Sequence, residues 1–336
     1  MLSRVLSIVA DRVTRALVSG VVTVASAWAL ASPAAVAAKG PDMAYQGPCD
    51  ASAAVALDAR YFVVANDEGE ALLTYRLGEA RRVGSVDLGT FLGTGSKEES
   101  DIEGAATIGS RVYWITSHSR NSRGVPQPSR HRVFATDIVG GANPRVIPVG
   151  TPYRDLLQDF IAAPSLAGWN LAEASTRAAQ AEGGLNIEGL AATPEGGLLV
   201  GFRNPLRAGR ALVVPIQNPA DVIAGKRAQL GTPIALDLGE RGIRSLALVG
   251  PAYYIVAGPV TDSGTFALFR WSGRATDAPT QVVVDLGNLR PEALFAMPGT
   301  GNIVLLSDDG GIVVDGRECR KRKPSQQTFR AMTLSP

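Results

Sequence analysis

A short string, Asp101-Ile102-Glu103-Gly104-Ala105-Ala106, recurs through this chain, and each copy opens an apolar, strand-like run. It returns as Asn186-Ile187-Glu188-Gly189-Leu190-Ala191. Looser copies are Gly242-Ile243-Arg244-Ser245-Leu246-Ala247, Arg290-Pro291-Glu292-Ala293-Leu294 and Asp50-Ala51-Ser52-Ala53-Ala54-Val55. The copies begin at residues 50, 101, 186, 242 and 290, a spacing of about 50 residues with one interval stretched by roughly 30. That period suits one four-stranded propeller blade. A second string, seen as Val86-Asp87-Leu88-Gly89, Leu236-Asp237-Leu238-Gly239 and Val284-Asp285-Leu286-Gly287, closes fourth strands in the same phase. The two strings together predict an all-β, five-bladed β-propeller.

Apolar runs bounded by Gly and charged turns mark the strands within each repeat. They fall at 53–57, 61–65, 72–75 and 83–88 in blade one, and at 105–108, 112–116, 133–136 and 146–149 in blade two. Blade three offers 190–193, 198–202, 211–216 and 234–238; blade four offers 246–249, 253–257, 266–271 and 282–286. Blade five has only 293–297, 303–306 and 329–334 after its motif, so the N-terminal segment 42–46 is expected as its outer strand. Such a strand closes the ring and removes an open sheet edge. The stretched interval shows helical spacing over 153–163 and 171–181. It reads as a short helical insertion, about 153–183, between blades two and three, lying as a lid over one rim with Trp169 near the mouth.

The first 38 residues have the layout of a secretory signal peptide: basic Arg4, Arg12 and Arg15, an apolar run from Ala16 to Ala31, then Ala35-Val36-Ala37 as a cleavage site. That leaves 39–336 as the propeller domain and predicts an exported protein, periplasmic or secreted. Beyond residue 37, basic and acidic residues balance at 30 each. A neutral chain is not held to nucleic acid, or to a membrane once the signal is cleaved, by its global charge, although local patches are not excluded. The chain has two cysteines, which in an exported protein invite a disulfide. Ring closure would bring Cys49, beside blade one, next to Cys319 in blade five; the alternative is two unpaired thiols.

Each blade is an antiparallel meander, so the start of its first strand and the end of its second share one rim. That rim collects the motif residues Asp50, Asp101, Glu103, Glu188, Arg244 and Glu292 with the second-strand ends Asp67, Glu68, His118, Asn121, Arg203, Asn204 and Asp308. Several carboxylates in one place suit a hard cation, calcium or another divalent ion, with Asp101, Glu103, Glu188, Glu292 and Asp308 as its candidate ligands. Asp50, Asp67, Glu68, Asn121, Arg203, Asn204 and Arg244 are candidates for holding a small anionic molecule. His118 is the candidate acid or base by residue type. The competing reading is that the carboxylates pair with arginines and stitch the blades together, because buried charges must be paired. No EF-hand loop, H-E-x-x-H, C-x-x-C, G-x-S-x-G or Walker loop occurs. The Arg-rich loop 120–132 and the basic run 317–323 are expected over the same rim, as solvated loops or as guides for an anion.

Several strings resemble a bacterial family catalogued as domain of unknown function 3616. They are Cys49-Asp50-Ala51-Ser52-Ala53, Glu99-Ser100-Asp101-Ile102-Glu103-Gly104, Ser117-His118-Ser119-Arg120-Asn121, Leu185-Asn186-Ile187-Glu188-Gly189-Leu190, Gly201-Phe202-Arg203-Asn204-Pro205 and Arg241-Gly242-Ile243-Arg244. The resemblance implies an exported propeller and leaves the activity open. A more distant likeness, through Glu-Gly at first-strand starts, is to phytase-like and esterase-like propeller domains. Three functional classes follow: a binding protein for a small anion or divalent cation, a metal-assisted phosphoester hydrolase, and an interaction scaffold.

Overall fold

The computed structural model describes residues 37–335 apart from 41, 67, 68, 95–97 and 262. Nearly all of the expected signal segment, and both Asp67 and Glu68, lie outside the described residues. Five antiparallel sheets follow one another along the chain, one per copy of the motif. Blade one is Ala53–Ala56, Tyr61–Ala65, Ala71–Arg76 and Arg82–Asp87. Blade two is Ile102–Ile108, Arg111–Thr116, Val133–Val139 and Arg145–Tyr153. Blade three is Asn186–Ala192, Leu198–Asn204, Arg210–Ile216 and Ile234–Asp237. Blade four is Gly242–Val249, Ala252–Gly258, Ala267–Trp271 and Thr280–Val282. Blade five takes Pro291–Ala296, Ile303–Ser307 and Thr328–Ser335, and both Met43–Gln46 and Ala38–Lys39 pair with the last of these.

The inner two strands of each blade are buried on both faces, because each face packs against a neighbouring blade; Leu198–Asn204 and Ala252–Gly258 are buried at every position. That is why these strands read as continuous apolar runs rather than alternating ones. Between blades five and one the filling is aromatic. Tyr45 of the N-terminal strand stacks on Phe329 at 5.4 Å, and Phe62 stacks on Phe295 at 5.3 Å.

The Val-Asp-Leu-Gly string turns out to be a turn device. In each copy the Asp carboxylate accepts the backbone N–H of the Gly two residues on: Asp87 to Gly89 at 2.9 Å, Asp237 to Gly239 at 3.1 Å and Asp285 to Gly287 at 2.8 Å. The Leu between them is buried each time. In blade four this turn comes after the strand, which spans Thr280–Val282 rather than the expected 282–286. The side-chain bond competes with the ladder and takes the backbone out of it.

The stretched interval holds helices at Leu156–Ala162, Pro164–Trp169 and Leu171–Ala174. They are not a lid. Leu156, Leu157, Phe160, Leu166, Trp169 and Leu171 are buried in one apolar cluster with Tyr113, Ile187, Phe202 and Leu212 of blades two and three. At about 1.5–3 kcal/mol for each fully buried large side chain, this burial rivals the whole stability margin of a domain. Trp169, expected near the mouth, is 8% exposed inside that cluster. Among the described residues no helix is long and apolar enough to cross a membrane.

Candidate functional site

A β-bulge recurs at the third position of the motif. The pairing register skips one residue between Ile102 and Gly104, between Ile187 and Gly189, between Ile243 and Ser245, and between Pro291 and Ala293. The residues skipped are Glu103, Glu188, Arg244 and Glu292. A bulge re-aims the side chain of the extra residue, and all four of these side chains line one cavity of about 780 Å³. Blade one has no such skip, and there the equivalent Ser52 gives its hydroxyl to the Ile102 carbonyl at 2.6 Å. The following glycines allow the inner strands to crowd together. A Cβ on Gly104 would meet Leu190 Cβ at 2.9 Å, and one on Gly189 would meet Ile243 Cγ2 at 2.7 Å.

The floor of the cavity is a buried ion network joining blades three, four and five. Glu188 Oε1 accepts from Arg203 Nη1 at 2.9 Å and from Asn186 Nδ2 at 2.8 Å. Its Oε2 lies 2.9 Å from Arg244 Nε, and Arg244 also pairs with Glu292. Arg203 spends its other donors on the carbonyls of Pro259 and Thr261. Glu188 is 2% exposed. Beside blade two, Arg130 pairs with Asp101 at 2.8 Å and with Glu99 at 3.0 Å. Burial pushes the Asp101 carboxyl up despite this arginine. Asp308 is also pushed up, chiefly by burial and further by the neighbouring Asp50.

Of the residues expected from the sequence, the cavity gathers Asp101, Glu103, Asn121, Glu188, Arg203, Arg244, Glu292 and Asp308. Asp50 is buried behind it, joined to Asp308 by an isolated β-bridge. Asn204 does not line it; its amide ties down the insertion through the carbonyls of Ala179 and Ala181. Arg130, Asn186 and Phe266 also line the cavity without having been singled out as site residues. Arg130 was hidden in a loop rich in arginine, and Asn186 occupies the first motif position that carries Asp in other copies. Among the described residues no group of three or more His, Cys, Asp or Glu side chains is placed to hold a metal ion.

His118 was expected as an acid or base at the rim, but the structure places it beneath that rim, 1% exposed, with Nδ1 2.8 Å from the Thr116 carbonyl. Burial, reinforced by His131, drives its pKa from 6.5 down to about 3, so it is neutral in the native state across the physiological range. The unfolded chain takes up a proton below about 6.5 while the native state does not. Stability is therefore lost as pH falls from that value towards 3. Acidification from pH 7 to pH 5 is expected to cost roughly 2 kcal/mol through this group alone. His118→Asn keeps a residue that tolerates the left-handed φ of 54° found there. Urea unfolding at both pH values should show the acid loss smaller by about that amount in the variant, and an equal loss would refute the assignment.

The fold and this mouth define a five-bladed propeller with a charged, arginine-bridged cavity at one end of its channel. Residues 166–301 match the profile of a family described as protein of unknown function (DUF3616), so the resemblance read from the motifs holds across that segment. No curated protein matches the sequence. Among solved structures, the chain is similar to the glutaminyl cyclase of Myxococcus xanthus, at 14% identity over 90% of this chain and 99% of that one, with a TM-score of 0.48. It is also similar to the PQQ-bound aldose sugar dehydrogenase of Streptomyces coelicolor, at 11% identity over 88% and 100%, with a TM-score of 0.43.

Proposed function

We propose that the protein binds a small anionic molecule at the mouth of its channel. One observation carries this reading: seven arginines line the cavity against six carboxylates, and three of the arginines form no ion pair among the described residues, namely Arg120, which is held by the carbonyls of Ser175 and Gly124, and Arg123 and Arg290. Arg203 and Arg244 are consumed by the floor network and set the shape of the site rather than its charge. The anion is favoured over a divalent cation because the floor carboxylates are bridged by guanidinium groups and no ligand cluster of three or more is present among the described residues. The same argument ranks the phosphoester hydrolase below a binding protein.

We read the pairing of Met43–Gln46 with Thr328–Ser335 as the closure of the ring. The chain is read as exported, a reading supported by the Cys49–Cys319 disulfide and by the layout of the first 38 residues. The test is a thermal-shift and calorimetric panel of inorganic phosphate, small carboxylates, sugar phosphates and calcium. An anion should bind, and Arg123→Ala with Arg290→Ala should weaken it by roughly 10- to 100-fold, the scale of one lost charge-assisted hydrogen bond. Binding of calcium alone, or anion binding untouched by the double variant, would refute the reading.

A further inference from the structure

The segment 310–323 forms a finger that touches the proposed ligand site only through Gly311 and Arg320. Val313–Val314 and Arg317–Glu318 make a two-stranded hairpin in which Val313 pairs with Glu318 and Val314 with Arg317. Its turn, Asp315-Gly316, has both residues in the left-handed region, at φ 52° and 75°, the geometry of the tightest hairpin connection. Successive strand residues point to opposite faces, so a hairpin lying on the body would bury one of the two valines. Here Val313 is 64% exposed and Val314 38%. The finger therefore stands clear of the propeller on both sides. So short a hairpin is not stable by itself, and its foot is fixed by the Cys49–Cys319 disulfide and the bond from Cys319 N–H to the Ile312 carbonyl at 2.8 Å.

Charge surrounds these valines. Arg317, Arg320, Lys321, Arg322 and Lys323 face only Asp315 and Glu318 within the segment 313–323. Arg320 and Lys321 share Glu318, and Arg322 reaches Asp315 at 3.3 Å. The other large apolar side chains that are exposed among the described residues have no such neighbour next to them in sequence. Net positive charge is thus concentrated around an exposed apolar tip, in a chain whose basic and acidic residues balance beyond residue 37.

We infer that this finger docks the protein on a bilayer bearing anionic headgroups. A bilayer can receive both faces of the hairpin at once, whereas a groove on a protein partner covers one. The valines would enter the boundary of the acyl chains while the basic side chains stay among the headgroups.

Sedimentation of the purified protein with phosphatidylcholine vesicles, with and without phosphatidylglycerol, tests the inference. Binding should be roughly 100-fold stronger with the anionic lipid, from about three net charges near the surface, and should weaken with added salt. Val313→Ser with Val314→Ser should reduce binding about tenfold, and Arg317→Glu with Lys321→Glu and Lys323→Glu, none of which lines the cavity at the channel mouth, should abolish it, with thermal unfolding unchanged in both. Equal binding to neutral vesicles, no binding to either, or full binding by the valine variant would overturn the proposal. Capture by soluble polyglutamate without vesicle binding would also overturn it, in favour of an acidic macromolecule. None of these outcomes depends on the anion site at the channel mouth.

Discussion

Glu188→Ala is expected to lower the free energy of unfolding by about 3–5 kcal/mol, the cost of removing one partner from a buried ion pair. The carboxylate is 2% exposed, and Arg203 and Arg244, at 5% and 6%, both lean on it. Taking it away leaves two guanidinium groups in a site where burial already pulls the pKa of Arg244 down. Arg244 would retain Glu292, but Arg203 would keep only carbonyl oxygens. Arg203→Ala should cost less, because Glu188 would still hold Arg244 and the Asn186 amide. Urea unfolding of the two variants beside the parent gives the comparison. A loss below about 1 kcal/mol for Glu188→Ala, the scale of an exposed pair, would show that water reaches the network and that it does not stitch the blades.

This network marks where the sequence could be read and where it could not. The period of the motif and the matching phase of the Val-Asp-Leu-Gly string are enough to place five blades, because each string has one local job that repeats: the first begins an inner strand, the second ends an outer one. What alternation along a strand could not settle was the direction of Glu103, Glu188, Arg244 and Glu292. The answer is a skipped residue in the pairing of four blades. A bulge is a relation between two strands, and the only local trace it leaves here is the small residue that follows in each motif: Gly104, Gly189, Ser245 and Ala293.

The depth of His118 and Trp169 escapes the sequence for one reason: topology orders elements along the axis and does not say how deep a side chain lies. Depth is decided by packing. The aliphatic face of the helices fills the wedge between blades two and three, and His118 turns under the rim through its left-handed backbone. Arg130 shows the reverse case: an arginine in a loop that reads as solvated closes on Asp101 from the next turn of chain.

The double substitution Cys49→Ala/Cys319→Ala is expected to destabilise the protein by up to about 5 kcal/mol, in the estimate that counts the loop-closure entropy taken from the unfolded chain. The bond joins residues 270 apart in sequence with Cα atoms 5.9 Å from each other, so it restrains nearly the whole unfolded propeller at once. Its ends are also seated in the native backbone: the Asp309 N–H donates to the Cys49 carbonyl at 2.7 Å, and both cysteines are 2% exposed. Removing two sulfur atoms there leaves little empty volume, so most of the loss should arise in the unfolded state. Three measurements check this. Unreduced protein should show no reactive thiol in denaturant, a reducing agent should bring the parent to the stability of the double variant, and the reducing agent should do nothing to the variant. A double variant within about 1 kcal/mol of the parent would mean that the unfolded ring keeps its ends together without the bond. The pairing of Met43–Gln46 with Thr328–Ser335 would then be the first contact to examine.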